Sequence, residues 1–147
     1  MPAIVQASAE LIDRASSSRL NTSYGASAAS RTHVMVRLTD DEGRHGSGEA
    51  SPLPSFTGET AVSIQLQLRH EFLPALLGRS PFDLHAIHQQ LNRLPENSSA
   101  KAAIDIALYD LMGKQTGLTV TQLLGGAVRS DVPVTFPLGI DAIDETV

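Results

Sequence analysis

The chain has no cysteine and no tryptophan, and only four Phe and two Tyr among 147 residues. Without cysteine, disulfides, thiolate metal sites and a cysteine nucleophile are excluded together. Lysine is nearly as scarce: Lys101 and Lys114 are the only two, and the eleven Lys and Arg form no basic run. At a net charge of −5, neither nucleic acid nor an anionic membrane is expected as a partner, because phosphate binding needs a concentrated basic face. Long hydrophobic runs are missing too. Glu10 and Asp13 interrupt the N-terminal segment where a secretory signal needs an unbroken apolar core, and no stretch approaches a membrane span. A cytoplasmic protein is the expectation, so Asn21-Thr22-Ser23 and Asn97-Ser98-Ser99 count as chance matches to the glycosylation pattern.

What is present is globular, with 41% apolar and 18% charged residues. This length suits a single domain of ordinary size, burying roughly two-thirds of its unfolded surface. Ile4 to about Arg14 reads as a first strand, despite the weak propensity of Ala7, Ser8 and Ala9. Ala15 to Ser30 is rich in Ser, Ala, Asn, Thr and Gly and reads as a long polar loop without periodicity, a kind that is often functional. Thr32 to Thr39 alternates strictly, with Val34, Val36 and Leu38 on one face, which predicts a half-exposed antiparallel strand. Asp40-Asp41-Glu42-Gly43 reads as the hairpin turn, and Arg44 to about Ala50 as the return strand. Gly46 and Gly48 predict close packing of another backbone or side chain over that strand.

Pro52 and Pro54 end the sheet. Thr57-Gly58-Glu59-Thr60 then opens a helix with Ala61, Ile64, Leu68 and Phe72 at helical spacing, broken near Pro74 and closed by Leu77-Gly78. Ser80-Pro81-Phe82-Asp83 predicts a second helix with a capping serine and proline at its first position. Its stripe is Leu84, Ile87, Leu91 and Leu94. A third starts at Ser98 or Ser99 and carries Ala100, Ala103, Ile104, Ala107, Leu108 and Leu111 on its inner face. Gly117 is its expected stop, and Thr119 can cap a short helix ending at Gly125-Gly126. The pattern is α+β: a three-stranded antiparallel meander followed by a helical bundle.

Four segments carry a resemblance. They are Gly48-Glu49-Ala50, Thr57-Gly58-Glu59-Thr60, Ser99-Ala100-Lys101-Ala102-Ala103-Ile104-Asp105-Ile106-Ala107-Leu108-Tyr109-Asp110, and Leu123-Leu124-Gly125-Gly126. In this order the chain resembles the N-terminal capping domain of the enolase superfamily, in its muconate-lactonizing, mandelate racemase-like and dipeptide-epimerase branch. The resemblance implies a cap over residues 1–127, with residues 128–147 forming the first strand and first helix start of a truncated (β/α) barrel. The apolar stretch Val132 to Ile140 would be that strand, and the helix opening at Asp141 to Val147 favours a piece of a longer enzyme.

Such enzymes abstract a proton α to a carboxylate and stabilise the product enediolate on Mg²⁺. The family supplies a Lys-x-Lys pair and three acidic metal ligands from the barrel. This chain has no Lys-x-Lys, so the resemblance implies no catalytic residue, no Mg²⁺ site and no activity in the chain alone. It does imply substrate recognition. The capping loops map onto Leu20 to Ser30 and Ser51 to Thr60, with Tyr24, Phe56 and Thr57 as substrate-binding residues, since a loop-tip aromatic can wall off a small ligand from solvent. Either Arg19 or Arg31 is placed to bind a substrate carboxylate. The expected partners are a small carboxylate and further copies of the chain. The alternative is a non-catalytic assembly module that pairs through the C-terminal strand.

Other residues have a functional and a structural reading. His85 and His88, three apart, share a helix face and with Asp83 could suggest a metal cluster, but the spacing lacks the third convergent ligand, so a polar outer face is preferred. Gly46-Ser47-Gly48 lacks the glycines and following helix of a phosphate loop or nucleophile elbow. Glu49 is expected to bind neighbouring loop backbone rather than act as an acid. Lys101 and Asp105 read as a helix-surface pair, and Tyr109 and Asp110 as anchors between capping helices or to the barrel.

Overall fold

The computed structural model describes residues 2–15, 21–22, 25–26 and 30–135. A three-stranded antiparallel sheet, in the order β1 (Ile4–Ala15), β4 (Ser30–Asp40), β5 (His45–Ala50), packs on α4 (Ser98–Thr116). Between β1 and β4, β2 (Asn21–Thr22) pairs with β3 (Gly25–Ala26). The segment read as loop therefore holds a small ladder, whose two-residue strands are too short to show a period. Helices α1 (Pro54–Thr57), α2 (Ala61–Gln67), α3 (Leu84–Leu91) and α5 (Val120–Leu123) complete the described elements.

The alternation of β4 does what its period requires. Val34, Val36 and Leu38 are fully buried against the helices, and their cross-strand partners Ala50, Gly48 and Gly46 lie on the same face. Here glycine is a spatial requirement: a Cβ on Gly46 would overlap the Ala107 carbonyl, and one on Gly48 the Ala103 carbonyl. The alanines of α4 meet these glycines, so helix and sheet backbones approach closely. Ile104, Leu108 and Leu111 fill the flanks and are completely buried.

Both outer edges of the sheet are blocked. On β5, Ser47 N–H donates to Asp110 Oδ2 (2.8 Å) and the His45 carbonyl accepts from Lys114 Nζ (2.8 Å). On β1, the Ala9 carbonyl accepts from Gln65 Nε2 and Arg69 Nε, each at 3.1 Å. Side chains thus occupy edge groups that would otherwise template another strand. Asp110 anchors α4 to β5, where the sequence suggested helix-to-helix or helix-to-barrel contact.

The β4–β5 turn is locked to the same helix. Asp40 is buried and accepts from Glu42 N–H, Arg44 N–H, Arg44 Nε and Gln115 Nε2 at 2.8–3.1 Å. Burial alone would push its carboxyl upward; the bonds from Arg44, Gln115 and the two backbone amides outweigh that and hold it below the usual range.

Helix boundaries differ from expectation in three places. Pro54–Thr57 forms a helical turn of its own, ended by Gly58 at φ 75, before Thr60 caps α2 with a Thr60–Ser63 capping box. Beyond Gln67 the helix widens into a π turn over Leu68–Phe72, and a 3₁₀ turn takes Pro74–Leu76. Ser80-Pro81 opens a turn, with Phe82 N–H reaching Ser80 Oγ (3.3 Å), and α3 starts only at Leu84. Val132–Thr135 has no regular structure. The strand expected there has no ladder partner among the described residues, and an unpaired strand leaves its amides to water. The remainder of that stretch and the helix start at Asp141 lie outside the described residues.

Candidate functional site

The candidate site grows from the end of β5. Ala50 is buried, Ser51 is exposed and Pro52 is buried again. From Leu53 to Gly58 every residue is exposed. Phe56 has 78% of its surface open to solvent. Ordinary burial favours the reverse for an aromatic of this size, so its position is informative.

Thr57 lies beside it in α1, its hydroxyl donating to the Leu53 carbonyl (3.2 Å) and accepting from Glu59 N–H (3.3 Å). That hydroxyl is committed to shaping the turn. Tyr24 and Arg19 lie outside the described residues. Arg31 is exposed on β4, opposite Arg14 on β1.

Two polar arrays hold the ends of the exposed segment, and the sequence reading foresaw neither. At the start, His33 Nδ1 donates to Glu49 Oε1 (2.5 Å), Arg14 donates to Glu49 Oε2 (2.9 Å), and the Ser51 hydroxyl lies 3.3 Å from His33 Nε2. The bond from His33 first, with Arg14 adding to it, holds the Glu49 carboxyl below the usual range against an opposing effect of burial. Among the described residues, Glu49 binds side chains of β1 and β4. At the far end, Glu59 accepts from Ser99 Oγ (2.6 Å) and Ser99 N–H (3.3 Å) at the start of α4. Partners 16 to 40 residues apart leave no local spacing to read.

The remaining candidates disperse. His88 Nε2 meets Asp105 Oδ1 (2.7 Å), while His85 faces Gln89, so Asp83, His85 and His88 do not converge. Asp105 consequently does not pair with Lys101, whose Nζ donates to the Leu94 carbonyl (2.7 Å). Lys114 is held by His45 and Asp110. A groove of about 380 Å³ runs between α4 and α5, lined by Tyr109, Lys114, Leu118 and Val120 among others.

The described carboxylates do not suit a magnesium site. Asp40, Glu49, Glu59, Asp105 and Asp110 each accept from protein donors in separate places, and no three acidic or histidine groups cluster among the described residues. Nor is any described helix long and apolar enough to cross a membrane.

The described residues thus form a meander backed by an alanine-faced helix, with one aromatic exposed in the segment that leaves the sheet. Residues 6–125 match the family described as "Mandelate racemase / muconate lactonizing enzyme, N-terminal domain". The chain belongs to that family, within the enolase superfamily. It is 40% identical over 119 residues to the N-succinyl-L-Arg/Lys racemase of Bacillus cereus, covering 80% of this chain and 32% of the racemase. The crystal structure of that racemase superposes with a TM-score of 0.91 at 32% identity, over 98% of this chain and 39% of that one. The L-Ala-D/L-Glu epimerase of Bacillus subtilis is 39% identical over 113 residues, 76% of this chain and 31% of the epimerase. A dipeptide epimerase from Enterococcus faecalis, solved with Mg and the dipeptide L-Leu-L-Tyr, gives a TM-score of 0.75 at 34% identity, over 84% of this chain and 34% of that one. The chain spans about a third of the length of these relatives.

Proposed function

We propose that residues 1–127 are the substrate-capping domain of a magnesium-dependent isomerase or cycloisomerase acting α to a carboxylate, and that residues 128–147 open the barrel beside it. The substrate class is a dipeptide, an N-acylamino acid or a muconate-like diacid. The observation that supports this reading is Phe56, exposed at the apex of a segment whose two ends are tied to the domain. On a family cap, such a ring has one economical use: to exclude water from a small ligand in a neighbouring pocket. Thr57 shapes the turn that presents it, and Tyr24 is the matching contribution from the first loop.

In this reading the 147-residue polypeptide performs no proton abstraction alone. Its two lysines are spent on the Leu94 and His45 carbonyls, so neither is free to act as a base. Magnesium belongs to the barrel, where it supplies charge stabilisation at the substrate carboxylate. The assembled protein is a cytoplasmic homo-oligomer.

The test exchanges this cap for that of the Bacillus cereus racemase. Recovered turnover on a succinylated amino acid supports capping. A folded chimera that binds and turns over nothing contradicts it.

A second reading is association without catalysis. Val128, Val132 and Val134 are 96%, 73% and 89% exposed, an apolar series that favours pairing with another chain. Sedimentation velocity tests this second reading, since a strict monomer at all concentrations removes it.

A further inference from the structure

The central helix α4 begins without a cap of its own. Its N-cap residue Asn97 makes no side-chain bond to the helix, and both Glu96 (φ 59) and Asn97 (φ 56) are in the left-handed region. The first amides of a helix need acceptors, and a carboxylate there is favoured by the helix dipole. The acceptor comes from forty residues earlier: Glu59 takes Ser99 Oγ at 2.6 Å and Ser99 N–H at 3.3 Å.

Glu59 is also where the exposed segment ends. Between buried Pro52 and half-buried Glu59, all six residues are exposed. Their described bonds are almost all local: Phe56 and Thr57 N–H to the Leu53 carbonyl (2.9 Å each), Gly58 N–H to the Pro54 carbonyl (3.0 Å), and Thr57 Oγ1 to Leu53. The neighbouring helix α2 is capped independently by Thr60 and Ser63, so Glu59 is not needed for that start. Its backbone N–H meets the Thr57 hydroxyl at 3.3 Å, joining the carboxylate anchor directly to the turn that carries Phe56.

We infer that Glu59 is a positioning residue: by binding Ser99 at the head of α4, it fixes the Leu53–Gly58 turn and hence the place of Phe56 over the substrate. The Ser51–His33–Glu49 array anchors the other end, so the segment is held at two points with its aromatic between them. This inference rests on the capping reading for its purpose, though the clamp itself is a property of this chain.

Amide exchange measured by NMR on the full chain tests it without substrate. Glu59→Ala and Ser99→Ala should each speed exchange at Phe56, Thr57 and Gly58 by about tenfold, with interior α4 amides from Ile104 to Leu111 unchanged. Ser99→Thr, which keeps the hydroxyl, should restore protection. The double alanine variant should exchange no faster than Glu59→Ala alone, because loss of the carboxylate already removes both the hydroxyl and the amide bond from Ser99. Unchanged rates at Phe56–Gly58 would overturn the inference. So would an equal rise along α4, which would make Glu59 a helix cap and nothing more. If the clamp holds and the cap exchange gives no turnover, only the capping reading falls; the opposite pair of results removes only the clamp.

Discussion

The β5 strand and the segment that leaves it are adjacent in sequence and opposite in character. In β5, glycine at 46 and 48 lets α4 come so near that no side chain fits between the backbones. From Leu53 to Gly58, the chain carries a large aromatic that touches little and is open to solvent. Stability is concentrated in the first region, while the second is held only at its ends. One domain thus separates what keeps it folded from what it leaves open to solvent, and substitutions on the two sides should have different signatures.

The largest effect is expected where the backbones meet. Gly48→Ala places a Cβ on the Ala103 carbonyl, and neither element can retreat without opening the core; a loss of about 3 kcal/mol or more is expected in a urea titration. Leu108→Ala leaves a cavity between α4 and the sheet and should cost about 2–5 kcal/mol by the same measurement. Asp40→Ala strands the Arg44 and Gln115 donors and should cost about 2 kcal/mol.

Acid should act on these locks. Asp40 and Glu49 both have lowered carboxyl pKa values in the fold. Their contribution is complete above the ordinary carboxylate range and is lost as pH falls through the folded values. Urea midpoints should therefore be flat from about pH 7 to 5 and fall below about pH 4. An Asp40→Asn, Glu49→Gln variant should be less stable at neutral pH and lose part of that slope. At the other extreme, Phe56→Ala should change stability by less than about 0.5 kcal/mol, because the ring is largely exposed. A larger loss would erase the contrast between the two regions.

Much of the stable region was legible in the sequence. The period of two from Thr32 to Thr39 and the two glycines of β5 predict the sheet and its close partner, because those patterns record burial directly. Gly117, at φ 72, and the Thr119 cap end α4 and start α5 as read. The Ser80-Pro81 signal misled: its hydroxyl and carbonyl satisfy Phe82 and Asp83 in a turn, and helix begins a full turn later. The presenting region was legible only in part. Phe56 stands out as the one aromatic between Ser51 and Thr60, but its anchors pair residues brought together by folding. Glu49 and Glu59 looked alike in sequence, as acids at segment ends; only tertiary structure assigns one to His33 and Arg14 and the other to Ser99.

The decisive measurement is the kinetics of the racemase carrying this cap, with and without Phe56→Ala. The account predicts turnover with the grafted cap, and a KM for the succinylated substrate raised about tenfold by the substitution while the melting temperature stays put. Identical KM values for the two caps, in chimeras that melt together, would contradict the assignment of this segment to the substrate.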